Sequence, residues 1–489
     1  MSQSSPNIRG LAGSGGAVTG ARIFDVGASY LFYLVLARAM APDAFGRLVL
    51  AITIAYTVAV YARIGLDSAT MRKSAEALAG GRAGVGPILR RATLVTAIGS
   101  AAAVALLWIA MVHVPAFANY RRAFAGANGL VLAALPLVAF QAVYAMTLRG
   151  VGRQRAASFG ESVVQPAIAL LFAIGAWIFD APLLASGALL ASMVASIVYA
   201  LAKLREHWSA GGAEEDAHGL VTLGVTLAFV VGIQALAQSL DVLILGRWRG
   251  AAEVGLYAVA YKTARALVLI NDSAHLVIAP AVPSLLRDNK REELQLLYRT
   301  SARWVTLTTF PGALVILIAA EPLLHIFGAS FVPAAPVLRV LAATFAVFVA
   351  AGPAHPFLLM AGHQRLLVMN AVAAVIATAA LLMTLVPRWG MHGAATSVLI
   401  AAVLQRALLL IEMRVVLKIV PIGARNATLL IAAAVSLVLV FALGDSGMWI
   451  AGGCAIAAFA TGVAMCGFDS VDRDVFGGVV DAFALRRRA

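Results

Sequence analysis

Eight ionisable side chains inside stretches that are otherwise apolar are the candidates for chemistry: Arg22, Asp25, Arg63, Asp241, Lys262, Arg265, Asp272 and His275. A charge in such a stretch is costly where the surroundings are lipid, about 2.5–3.5 kcal/mol at the centre of a span, so each asks for a partner or a task. Arg22, Arg63, Lys262 and Arg265 have the chemistry of an anion path. The planar guanidinium fork gives phosphate oxygens paired, charge-assisted hydrogen bonds. Lys262 and Arg265 are three residues apart with no acid within a turn, so they share a helix face and repel unless an anion lies between them. Asp25, Asp241, Asp272 and His275 are the groups able to take up a proton or a sodium ion. A structural reading stands beside each of these: Arg22 and Asp25 are spaced to pair one turn apart, while Arg63 and Asp241 sit near segment ends and can snorkel to the interface.

Other chemistries lack their residues. There is no Gly-x-x-x-x-Gly-Lys-Ser/Thr phosphate loop, so no nucleotide hydrolysis is expected of this chain. The eight histidines are dispersed without His-Glu-x-x-His, and the two cysteines are twelve residues apart in one apolar segment, too far along a helix for a disulfide. Neither a metal nor a cofactor is expected. Asp469, Asp472 and Asp474 read as a solvated stretch, and Arg486-Arg487-Arg488 as an anchor at an anionic membrane surface.

The elements that must position the eight follow from composition. Apolar residues make up 62% of the 489 and charged residues 12%, a balance that leaves too little polar surface for a soluble chain. Segments long enough to span a bilayer fall near 15–36, 46–64, 91–112, 129–148, 160–179, 183–202, 220–245, 254–280, 304–320, 336–360, 366–386, 392–413, 426–443 and 447–467. Backbone groups in hydrocarbon must be satisfied within the segment, so an all-α polytopic membrane protein of about fourteen transmembrane helices is expected. The net charge of +14 does not indicate a nucleic-acid partner, because the Lys and Arg residues sit in short loops between apolar runs. Most fall on one side, as in Arg72-Lys73, Arg90-Arg91 and Arg287 to Arg303, which predicts both termini in the cytoplasm. No loop is long enough to house a catalytic domain.

Self-similarity organises the spans further. Leu36-Ala37-Arg38 with Phe45-Gly46 returns as Leu245-Gly246-Arg247 with Val254-Gly255, an offset of 209 residues. Gly152-Arg153-Gln154-Arg155 returns as Gly362-His363-Gln364-Arg365, and Gly187-Ala188 as Gly393-Ala394. Two pseudo-symmetric six-helix lobes are expected, 1–205 and 219–415, with extra helices over 424–467 and a cytoplasmic tail at 468–489. The offset makes Arg63 and Asp272 equivalent, and they are expected to face one another in one state and part in another.

Three stretches carry a family resemblance: Leu36 to Gly46 (LARAMAPDAFG), Val254 to Tyr261 (VGLYAVAY) and Phe331 to Arg339 (FVPAAPVLR). Over roughly 15–415 the chain resembles the polysaccharide-export, Wzx-like branch of the multidrug/oligosaccharidyl-lipid/polysaccharide flippase superfamily. The resemblance implies two six-helix lobes that alternate between inward- and outward-open states in the bacterial inner membrane. The implied substrate is an oligosaccharide on undecaprenyl pyrophosphate, a precursor of lipopolysaccharide O-antigen or exopolysaccharide. The cations named above would then compensate the pyrophosphate, helices 13 and 14 would shape a groove for the lipid tail or dock a partner, and other proteins of polysaccharide synthesis and export are the partners implied. The pattern departs from the Arg-rich first helices of lipid II flippases and from the loop motif of major-facilitator transporters. A drug or organic-cation exporter of the same superfamily is the alternative, and it calls for an acidic cavity. A membrane-embedded glycan polymerase or glycosyltransferase calls for a long loop with clustered acids, and a non-transporting scaffold would leave the intramembrane charges dispensable.

Overall fold

The computed structural model describes residues 8–80, 85–208, 219–268, 281–350, 352–420, 422–443 and 447–466, with side chains from Gly20 onward. Among them every regular element is a helix, and twelve helical stretches are long and apolar enough to cross a membrane. One of these, Gln364–Val416, is broken at Gly390 (φ 55) and holds two of the expected spans. The eighth expected span begins in Ala251–Arg265 and runs on beyond the described residues. The chain is therefore an all-α polytopic membrane protein with about the number of spans its hydropathy predicts.

Exposure supports a lipid environment. Ile23, Leu106, Trp108, Phe179, Ile376 and Trp449 all present large apolar side chains outward, where a water-soluble protein would place polar groups. Hydroxyls inside the spans bond back to the carbonyl four residues earlier: Thr53 to Val49, Thr57 to Thr53, Thr306 to Ala302 and Ser436 to Ala432. That contact satisfies a polar side chain without leaving its own helix, which lets Ser and Thr sit in hydrocarbon.

The chain packs as two compact units. The first comprises Met1–Thr263, Leu324–Ala334 and Ala371–Ser397. Its helices are α1 (Ile8–Ala39), α2 (Pro42–Ala62), α3 (Leu66–Ala79), α4 (Gly86–His113), α5 (Ala118–Ala123), α6 (Gly129–Gly150), α7 (Gln154–Phe159), α8 (Gln165–Ile178), α9 (Pro182–Trp208) and α10 (Leu220–Trp248), followed by α11 (Ala251–Arg265). By contact α10 and most of α11, which open the second lobe of the sequence repeat, belong to this unit.

The repeat-equivalent glycines explain that placement. A Cβ built on Gly46 would lie 2.7 Å from Ala251 C and 2.8 Å from Gly255 N, and one on Gly255 would lie 3.1 Å from Gly46 N. Helices α2 and α11 thus touch backbone to backbone, the kind of approach small residues permit in membranes. Beside it, Leu50 fills the space left by the missing side chain of Gly246, and the buried hydroxyls of Thr57 and Ser239 lie 2.8 Å apart, joining α2 to α10.

The second unit comprises Ala264–Leu323, Ala335–Asn370 and Val398–Ala489. It contains α12 (Ala281–Arg287), α13 (Arg291–Ile318), most of α14 (Ala320–His325), α15 (Ala335–Ala350) and α16 (Ala354–Met360). Both ends of the broken α17 (Gln364–Val416) also belong to it, with α18 (Ala424–Leu443) and α19 (Met448–Cys466). Its core joins Tyr298, Phe357, Leu358, Leu409 and Met413. The last two helices pack through small residues: Gly462 lies against Ala432, and Ser436 Oγ shares its one proton between Ala432 O and Ala455 O, each at 2.8 Å. Cys466 is buried there, whereas Cys454 is exposed.

Candidate functional site

Asp25 projects from the middle of α1 into a cavity of about 150 Å³ in the first unit. Ser29, Tyr33, Tyr56, Gln165 and Ser192 supply most of its polar wall, from α1, α2, α8 and α9. One turn along α1, Ser29 Oγ donates to Asp25 Oδ1 at 3.3 Å. Gln165 Nε2 donates to Tyr56 OH at 3.1 Å, which aims the amide oxygen away from that phenol. Ser192 Oγ donates to Leu189 O at 2.9 Å, so its remaining oxygen capacity is for accepting. Lys262 Nζ lies 5.0 Å from the centre of the Tyr33 ring, within cation–π range. Lys262 and Arg22 are the cations whose charge reaches Asp25.

Gln165 reaches the cavity because of an irregular turn. Between α7 and α8, Gly160–Val164 adopt one turn of π-helix. Ser196 Oγ donates to the Gly160 carbonyl at 3.2 Å, and the Tyr199 ring packs on Gly160 where a side chain would collide with it. At the same turn Glu161 pairs with Arg149 of α6. Single π-turns inside longer helices gather at functional sites.

Size decides what the cavity accepts. About 150 Å³ accommodates on the order of five waters at roughly 30 Å³ each. That suits a proton or a small hydrated cation, with oxygen ligands from a carboxylate, hydroxyls and an amide.

Of the eight intramembrane candidates, the structure brings Asp25 and Lys262 to one place. Arg22 is exposed and makes no ion pair with Asp25 within 4 Å, so the one-turn pairing suggested by spacing is absent. Arg63 caps α2, where Ile64 (φ 47) and Gly65 (φ 66) turn the chain into α3. There its Nε lies 2.9 Å from Asp67 Oδ2, a close ion pair whose N–H is not aligned for a hydrogen bond. Arg63 thus has an acid four residues on, while Asp272 and His275 lie outside the described residues. Asp241 is buried and held from two sides, by Tyr257 OH at 2.7 Å and by the backbone N–H of Val242 at 2.8 Å. Its geometry is that of an anchor between α10 and α11. Arg265 ends α11 and is exposed.

Sequence reasoning missed Tyr56, Gln165 and Ser192, which are uncharged and come from three different helices. Their only signal is polarity inside an apolar span. It also passed over Arg406, a buried cation in the second unit whose position inside the expected span 392–413 was signal enough.

The fold has known counterparts. The lipid II flippase MurJ in an inward closed conformation superposes with a TM-score of 0.67 at 10% identity, covering 95% of this chain and 99% of that one. A multidrug resistance MATE family transporter of the MOP superfamily, inward-facing, gives 0.62 at 14% identity over 80% of this chain and 94% of that one. A MOP superfamily transporter from Pyrococcus furiosus, described by the reverse polarity of its binding pocket, gives 0.55 at 13% identity over 84% and 96%. Comparison with curated protein sequences gives no match. At these identities the likeness establishes the fold: that of a MOP-superfamily transporter. Residues 35–336 match the sequence profile of Polysacc_synt_3, polysaccharide biosynthesis protein, and the chain belongs to that family. The resemblance read from LARAMAPDAFG and its companions is borne out at that level.

Proposed function

We propose that this protein is a flippase that carries an undecaprenyl-pyrophosphate-linked oligosaccharide across the bacterial inner membrane by alternating access, with both termini in the cytoplasm. The observation that carries the reading is the conjunction of a polysaccharide-biosynthesis family with a fold shared by a lipid II flippase. On this reading the protein moves its substrate without making or breaking a covalent bond. Its two sequence lobes rock about the substrate, and its partners are the lipid-linked glycan, the bilayer and other enzymes of polysaccharide assembly.

Two features support a division of labour. The Asp25 cavity is of a size for the coupling ion, with Lys262 poised to compensate the carboxylate when that ion leaves. In the second unit an apolar groove of about 520 Å³, walled by Ala343, Val347, Leu399, Leu437, Val438 and Phe441, is of the right character for a polyprenyl tail. Helix α18 forms one side of it, which gives the thirteenth span a role. The carboxylate in the cavity equally favours a drug or organic-cation exporter, the second reading.

The test is transport in proteoliposomes of a lipid-pyrophosphate oligosaccharide under pH and sodium gradients, with Asp25→Asn alongside wild type. Gradient-driven movement by wild type, with Asp25→Asn still binding substrate but at least ten-fold slower to respond to the gradient, supports both assignments. Movement indifferent to Asp25 removes the coupling site. No movement of lipid-linked glycan, with uptake of an organic cation instead, turns the reading to the drug exporter.

A further inference from the structure

Two of the buried charges in the second unit, Arg406 and Glu412, lie on one helix. Arg406, on the second half of α17, is 8% exposed, and its guanidinium centre lies 3.6 Å from the centre of the Phe348 ring of α15. Among the described residues it makes no hydrogen bond or ion pair, and its buried Nε has no partner. Glu412 would be the natural counter-ion, but it lies six residues on, about 240° around the helix. Its carboxylate accepts instead from Asn370 Nδ2 at 2.6 Å. A ring face offsets part of the cost of burying a cation, yet it fills none of the five N–H donors of a guanidinium. A structural arginine in a span is ordinarily satisfied by a carboxylate or by backbone carbonyls; among the described residues Arg406 has neither.

Its place relative to the apolar groove is informative. Leu399, a wall residue of that groove, is seven residues earlier on the same helix, which puts it on the same face about 10 Å along the axis. Val347, another wall residue, is the neighbour of Phe348 in α15. A buried cation with empty donors therefore lies on the face that continues one end of an apolar groove. That is the outline of an amphiphile: hydrocarbon in the groove, an anionic head at the guanidinium.

We propose that Arg406 binds the phosphate head of a polyprenyl diphosphate whose chain occupies the groove of α15, α17 and α18. The proposal rests on the transport reading for the identity of the lipid. Phosphate suits the site because its oxygens meet the guanidinium fork in pairs, and Phe348 holds the plane of that fork in advance.

Affinity is measured on the full chain in nanodiscs with three probes: undecaprenyl diphosphate, uncharged undecaprenol and inorganic pyrophosphate. Wild type is expected to bind the lipid diphosphate, with Arg406→Gln at least ten-fold weaker and Arg406→Lys between them, since a lysine keeps the charge and loses the fork. Undecaprenol should bind equally to all three proteins, and pyrophosphate much more weakly than the lipid. Unchanged affinity in a folded Arg406→Gln protein overturns the site, as does an equal loss for undecaprenol, which marks a purely structural arginine. Pyrophosphate binding as tight as the lipid overturns the groove. Glycan-lipid transport by wild type is run in parallel. If Arg406-dependent binding is found without transport, the flippase reading fails and the site stands; transport and binding that both ignore Arg406 leave the flippase and remove the site.

Discussion

Replacing Gly46 by alanine tests the closest helix approach in the molecule's first unit. The added methyl would meet Ala251 C at 2.7 Å and Gly255 N at 2.8 Å, both backbone atoms of α11. The carbonyl oxygen of Ala251 lies nearer still, so restoring ordinary contact requires α2 and α11 to part by on the order of 1.5 Å, and no flexible side chain is there to yield. Overpacking of this kind costs about 1–3 kcal/mol. Alanine gains back up to ~1 kcal/mol of helix propensity, leaving a net loss of about 1–2 kcal/mol. Gly27→Ala in α1 is the control, because nothing lies within 4 Å of its built Cβ, and it should be neutral or stabilising by up to ~1 kcal/mol. The assay is the fraction of folded, monodisperse protein remaining after heating in detergent, read by fluorescence-detected size exclusion. Gly46→Ala should melt below wild type and Gly27→Ala at or above it, with Gly255→Ala following Gly46→Ala. Equal midpoints for Gly46→Ala and Gly27→Ala would refute the backbone contact and the packing argument built on it.

Two further predictions concern charges and turns. Arg63 and Asp67 form a pair whose side chains are 12% and 5% exposed. Removing either alone by alanine should cost about 3–5 kcal/mol by stranding the other charge, whereas Arg63→Met with Asp67→Leu should recover most of it in the same melting assay. Gly390 has φ 55, and its built Cβ lies 2.9 Å from Arg249 Nε and 3.0 Å from Glu253 Cδ. Gly390→Ala is therefore expected to destabilise by about 1–3 kcal/mol, and a melting curve identical to wild type would show that the turn relaxes freely.

How much of this was legible in the sequence depended on the range of each interaction. Helical spans declare themselves locally, because every backbone group in hydrocarbon finds its partner within four residues. The pair Arg63–Asp67 is equally local, one turn apart across Gly65, whereas Asp272, the partner expected from the repeat, lies outside the described residues. Tyr257 and Asp241 meet across the turn between two helices, sixteen residues apart, and no spacing rule announces that contact. The Asp25 cavity needed four helices to assemble, so only its charged members were readable beforehand. Gly46 and Gly255 are instructive in the other direction. They were recognised as a repeated pair by offset alone, and the structure gives the physical reason: each is the space the other occupies.

The π-turn at Gly160–Val164 has a consequence for register. A π-turn accommodates one residue more than an α-turn over the same rise, and one residue corresponds to about 100° of helix rotation. Every side chain from Gln165 onward is thereby phased differently from a helix that ran regularly out of α7. If the turn were drawn out into α-helix, Gln165 would swing by about that angle and release Tyr56, and the wall of the Asp25 cavity would lose its amide. The ion pair Arg149–Glu161 sits on the turn itself, so a change of charge at the turn and the polarity of the cavity wall that begins at Gln165 are geared to the same few residues.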